Sequence, residues 1–136
     1  MMKALEMELE TGHFSLSVIQ NAMANTGAMK AWYKEFGDII KSDGYEKFRE
    51  IIWILSEKAI IRADILTPDY VGISSYRLKK VFNIDRHHSI QEIDDSVKVT
   101  LQQVKITFDV GNAITLVRPK NRSSAEHFDL FCNLIG

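Results

Sequence analysis

Tyr45-Glu46-Lys47-Phe48-Arg49-Glu50-Ile51-Ile52-Trp53-Ile54-Leu55-Ser56-Glu57-Lys58-Ala59-Ile60-Ile61-Arg62 is the stretch whose reading decides the fold. Tyr45, Phe48, Ile52, Leu55 and Ala59 recur at spacings of three and four, the rhythm of one helix face. Ile51, Ile54 and Ile61 widen that face. Asp43 and Glu46 stand three apart, as an N-cap and its reciprocal partner do. The pattern predicts a central helix over 45–62.

Working outward, Ala28, Trp32, Phe36, Ile39 and Ile40 predict a second helix over 28–40, after a loop from Asn21 to Gly27. Before it, Leu5, Met7 and Leu9 alternate with Glu6, Glu8 and Glu10, and Phe14, Leu16 and Val18 alternate with Ser15 and Ser17. Period two around Thr11-Gly12 predicts an N-terminal hairpin. A helix competes over residues 2–10, where Met, Leu, Glu and Ala are strong helix formers. Downstream, Thr67-Pro68-Asp69 opens a short turn, and a short helix is expected over Tyr76–Phe82. Residues 83–96 are polar and read mostly as loop. Val97, Val99 and Leu101 then alternate on odd positions, and Val104, Ile106, Phe108 and Val110 on even ones. The phase slips at Gln102-Gln103, which predicts a β-bulge or strand break there. Gly111-Asn112 turns the chain, Ile114 and Leu116 return as a partner strand, and Pro119 ends it. Ser123 to Glu126 reads as a capping box for a last helix whose core face is Phe128, Phe131, Cys132 and Ile135. The expected fold class is α+β: a small antiparallel sheet, made of an N-terminal and a C-terminal hairpin, packed against about four helices.

The chain of 136 residues is 46% hydrophobic and 26% charged, the mix of an ordinary globular protein. That length suits a single globular domain over 1–136 burying roughly two-thirds of its unfolded surface. A lone cysteine, Cys132, excludes an internal disulfide and suits a reducing compartment. No apolar leader is expected, since Glu6, Glu8 and Glu10 interrupt the first residues. The longest apolar run, Ile51–Leu55, is far short of a membrane span.

Catalytic patterns are missing. The seven glycines form no phosphate loop, and there is no nucleophile elbow and no zinc-ligand spacing. No catalytic residue, cofactor or metal is therefore expected. His87-His88 are candidate pH-sensitive groups beside Arg86, although two solvated loop histidines is the favoured reading. Glu92, Asp94 and Asp95 lack calcium-loop spacing and read as a solvated acidic loop. Cys132 reads as a small hydrophobe on a core face, and Trp32, Tyr33, Phe36 and Trp53 as core aromatics.

Net charge is −1 and the pI about 6.4, against the strongly basic balance of a dedicated nucleic-acid domain. Two local clusters stand out: Arg77, Lys79, Lys80 and Arg86, and then Arg118, Lys120 and Arg122. If they meet in space they form one surface for an anionic partner, RNA phosphate or lipid; each as a merely solvated face is an equal alternative.

The segments Phe14–Val18, Asn21–Gly27, Ala31-Trp32-Tyr33-Lys34-Glu35-Phe36 and Lys47–Ser56, followed by Arg77-Leu78-Lys79-Lys80-Val81-Phe82-Asn83-Ile84, together resemble the core of rhabdovirus matrix proteins, with a compact plant-virus member as the nearest fit. In that family an alternating strand leads through a loop to a Trp-containing helix and then an apolar helix. The resemblance implies a non-enzymatic structural protein of host cytoplasm and virion. It implies self-association, contact with the viral nucleocapsid or RNA, and attachment to an anionic membrane surface without a transmembrane segment. Two other readings stay open: a winged-helix-like nucleic-acid binder whose reader helix is near Tyr76–Phe82, and a small immunity or inhibitor protein binding one basic partner through Glu6, Glu8 and Glu10.

Overall fold

The computed structural model describes residues 13–42, 45–66, 70–109 and 111–135. The hairpin arm expected over 5–9, the Asp43 cap, the Thr67-Pro68-Asp69 turn and Val110 lie outside them. Helix α1 (His13–Ala22) is followed by β1 (Met29–Ser42), β2 (Tyr45–Ser56), β3 (Ala59–Leu66) and β4 (Tyr70–Arg77). A three-residue 3-10 turn, Leu78–Lys80, leads to β5 (Val81–Ile93), β6 (Ser96–Phe108) and β7 (Ala113–Val117), and α2 (Arg122–Leu134) closes the chain. The strands form two antiparallel meanders, β1-β2-β3-β4 and β5-β6-β7.

This corrects the expected fold class. Among the described residues there are two helices, not about four, and most of the chain is sheet. The 28–40 helix is strand β1, and the 45–62 helix is β2, a turn and the start of β3. Thus the Trp-containing and apolar helices of the rhabdovirus likeness are both strands. The reason lies in burial on both faces. A strand covered on both sides shows a continuous apolar run, which periodicity alone cannot tell from a buried helix. Here Ile51, Ile52, Ile54, Ile60 and Ile61 are β-branched and surround an aromatic, the composition that packs best on a pleated surface. Ser56-Glu57-Lys58 is the break between two strands: Ser56 is fully buried, and its hydroxyl donates to the Ala59 carbonyl (3.0 Å) while accepting from the Ala59 N–H (3.2 Å).

Conversely, the strand expected at Phe14–Val18 is part of α1. Leu16 and Ile19 lie three apart, with Met23 four further on, so one helix face carries them together. The expected Tyr76–Phe82 helix shrinks to Leu78–Lys80, and residues 83–93, read as loop, are the body of β5. The last helix forms as expected, but its cap is Asn121, whose side chain accepts from the Ser124 N–H (3.1 Å), two residues before the Ser123 reading. The phase slip in β6 is a bulge: His87 pairs with Gln103 and His88 with Leu101, leaving Gln102 over.

The four-stranded sheet is apolar on both faces. On one, Trp32, Ile52, Ile54, Ile61, Ala63 and Ile65 pack under Leu16 and Ile19 of α1. On the other, Ala31, Tyr33, Ile51, Trp53, Leu55 and Ile60 meet Val104, Ile106, Phe108, Ile114 and Leu116 of the second sheet. Helix α2 plugs this second layer with Phe128, Phe131 and Cys132; Tyr33 meets the two phenylalanines edge-on at 5.2 and 5.1 Å. Each of the buried Ile, Leu, Val and Phe side chains contributes about 1.5–3 kcal/mol of transfer free energy.

Candidate anion-binding site

The β2–β3 turn carries Glu57 and Lys58, both exposed. Its backbone is held from two sides. Glu57 N–H donates to Ala28 O (3.1 Å) and Lys58 N–H to Thr26 O (2.9 Å), while Lys58 O accepts from Leu78 N–H (3.0 Å). The turn is therefore clamped between the α1–β1 loop and the end of β4. Gly27 makes the approach feasible: its φ is +85°, and a Cβ there would sit 2.8 Å from the Glu57 Cβ. Arg77 ends β4 and reaches back, its Nη1 3.5 Å from Asn25 O.

These segments enclose an open cleft of about 750 Å³ lined by Asn25, Glu57, Lys58, Arg77, Leu78 and Lys79. It holds three cations against one carboxylate. Among the described residues none of Lys58, Arg77, Lys79 and Lys80 takes part in an ion pair. The first expected cluster thus gathers in part on one cleft, with Lys80 just outside, its carbonyl accepting from the Asp109 N–H (2.9 Å).

The second cluster stands elsewhere. Arg118 N–H donates to Gln102 O at the middle of β6, whereas Lys80 meets Asp109 just past its end; at about 3.3 Å per residue the cleft side of the first cluster and Arg118 are roughly 20 Å apart. Of the first cluster only Arg86 lies near Arg118, both acting on the Cys132 thiol. Arg118 is also spoken for. It makes a forked pair with Asp129 (2.6 and 3.1 Å) and donates to Leu101 O (3.2 Å), which leaves little charge for a ligand. Arg122, 96% exposed, is 3.7 Å from Glu126, and Lys120 is exposed. Arg86 lies on β5 opposite Val104, away from the cleft-lining residues. His87 and His88 are exposed on that same strand, not in a loop.

The partly buried polar groups are structural. Arg49 forks onto Asp64 (3.0 and 2.7 Å), and Arg62 adds a longer contact (3.8 Å) while lying over Trp53. The Arg49 hydrogen bonds hold the Asp64 carboxyl below its ordinary range. Burial raises Glu35, against the opposing pull of the Val117 N–H, Trp53 and Arg62. Burial also pushes the Cys132 thiol up to about 12, so it stays a protonated core hydrophobe. Among the described residues no three His, Cys, Asp or Glu side chains group as metal ligands.

Lys58 is the cleft residue that sequence reasoning missed, because it fell inside the expected 45–62 helix. The signal available was the polar break Ser56-Glu57-Lys58 between two apolar runs. No family model, curated protein or solved structure matches the chain.

Proposed function

We propose that this protein is a non-enzymatic binding domain whose cleft at Lys58, Arg77 and Lys79 receives a phosphate-bearing group of a larger partner. One observation carries the reading: three cations without ion-pair partners among the described residues converge on one open cleft whose backbone is fixed by three inter-element hydrogen bonds. The two forked arginines, by contrast, are matched in place, Arg49 by Asp64 and Arg118 by Asp129. Unmatched cations with ordered backbones are ready to meet an anion, and their mutual repulsion falls when one binds. A cleft bounded by a turn and a 3-10 segment suits a projecting head group or terminal phosphate better than the flank of a duplex.

The winged-helix reading loses its reader, since Tyr76–Phe82 holds a single 3-10 turn between strands. The immunity-protein reading rests on Glu6, Glu8 and Glu10, outside the described residues. Virion assembly, the setting implied by the rhabdovirus likeness, shares the need for an anion-binding face, but the proposal stands on the cleft alone.

The test is titration of labelled inositol phosphates, anionic vesicles and single-stranded RNA at low and high salt. Lys58→Glu and Arg77→Glu should each weaken binding about tenfold or more, and Lys120→Glu should leave it unchanged. Equal loss in all three variants would reduce the effect to net charge and end the proposal.

A further inference from the structure

Beyond the Gln102 bulge, β5 and β6 continue as a two-stranded arm, six pairs from His88–Leu101 to Ile93–Ser96, or roughly 20 Å long. Asp94 and Asp95, with φ of 47° and 65°, form its tight turn. All residues from Asp85 to Val99 are exposed. Direct pairs share a face, so His88, Ile90 and Glu92 lie beside Leu101, Val99 and Val97. That face continues the core, since Leu101 packs partly against it. Ile90, Val97 and Val99 nonetheless stand 72%, 62% and 57% exposed. The outer edge of β5 pairs with no other strand among the described residues. An open apolar edge is a template for strand addition.

We infer that this edge pairs with the β5 edge of a second copy, antiparallel about a two-fold axis at Ser89. Symmetry narrows the register. For two identical strands related by an axis normal to the sheet, paired positions must sum to an even number, or the apolar faces would point to opposite sides. With Ser89 on the axis, His88 faces Ile90 and Arg86 faces Glu92, each twice. Moving the axis to His88 sets Arg86 against Ile90 and Ile84 against Glu92, and moving it to Ile90 sets Glu92 against His88 and carries the partner of Arg86 out of the strand into the turn at Asp94. Neither Arg86 nor Glu92 has an ion-pair partner among the described residues of its own copy. The two-fold thus joins the apolar residues of both arms into one strip and pairs four otherwise unmatched charges. It also puts the two bodies at opposite ends of the joined arms. A bilayer fits less well, because Glu92, Asp94 and Asp95 crowd the tip and repel an anionic surface. With two short edges the interface falls below about 1,200 Å², the weak and reversible class.

Sedimentation velocity on the full chain, from micromolar to millimolar concentration, tests this. The wild type should pass from monomer to dimer. Arg86→Glu and Glu92→Arg should each weaken the dimer about tenfold, since each puts two like charges opposite each other, and the double variant should restore it. All sites are exposed, so unchanged circular dichroism is expected throughout. Lys58→Glu should not alter the dimer, which separates this inference from the cleft. A wild type that stays monomeric, a double variant no better than its parents, or arm-dependent binding to neutral phosphatidylcholine vesicles would overturn it.

Discussion

Strands β2 and β5 are nearly equal in length, 12 and 13 residues, and both are β-branched and antiparallel, yet their surroundings are opposite. Every residue of β2 from Glu50 to Ser56 is buried, and every residue of β5 from Asp85 to Ile93 is exposed. The difference is one of layers. β2 lies inside its sheet, with α1 on one face and the second sheet on the other, whereas β5 is an edge whose far half extends past the other described elements. Apolar side chains in β2 supply stability; those in the arm leave contact surface available.

The comparison breaks most sharply at matched truncations. Ile54→Ala, at a fully buried site beneath α1, and Phe128→Ala, between Tyr33 and the sheet sandwich, should each cost about 3–5 kcal/mol in urea unfolding. Ile90→Ala should stay within about 0.5 kcal/mol of wild type under the same conditions. A large loss at Ile90 would mean that the arm folds with the core.

An intermediate effect is expected where the covered sheet meets its connections. Gly27→Ala should cost about 1–2 kcal/mol, because the residue would adopt φ near +85° and meet Glu57; thermal unfolding reads it, together with weaker phosphate binding at the cleft. Smaller still is the ion pair on the rim of the covered sheet. Asp64 side chain is 20% and Arg49 38% exposed, so Asp64→Asn should cost only about 0.5–1 kcal/mol at neutral pH. The pH dependence has a definite sign. Since pairing with Arg49 lowers the Asp64 pKa on folding, its contribution is full above the ordinary aspartate range and is lost as pH falls through the depressed value. Glu35 runs the other way, its raised pKa favouring the fold at acid pH and penalising it as pH rises. Asp64→Asn should therefore flatten the loss of stability below about pH 4. Smallest of all, Val99→Thr on the arm should leave monomer stability unchanged in calorimetry.

Legibility followed the number of covered faces. β6 and β7 were readable because their alternation survives: Val104, Ile106 and Phe108, and then Ile114 and Leu116, point inward between exposed or half-buried neighbours. The bulge at Gln102 was readable for the same reason, as a break in phase. Helix α2 was readable from Phe128, Phe131 and Cys132 on one face. β1 and β2 were not, because residues covered on both sides carry no alternation to read. Of the cleft, Arg77 and Lys79 were visible as a run of cations, whereas Lys58 comes from a turn 19 positions earlier that only the pairing of β3 with β4 brings alongside.

By itself the sequence determined the amounts: enough apolar residues for a core, near-balanced charge, one buried thiol, and the two strands and helix at its end. Tertiary structure decided which apolar runs became strands and which cations stayed unmatched. Both depend on what lies across a second face or a neighbouring strand, contacts between residues far apart in the chain that no local spacing encodes.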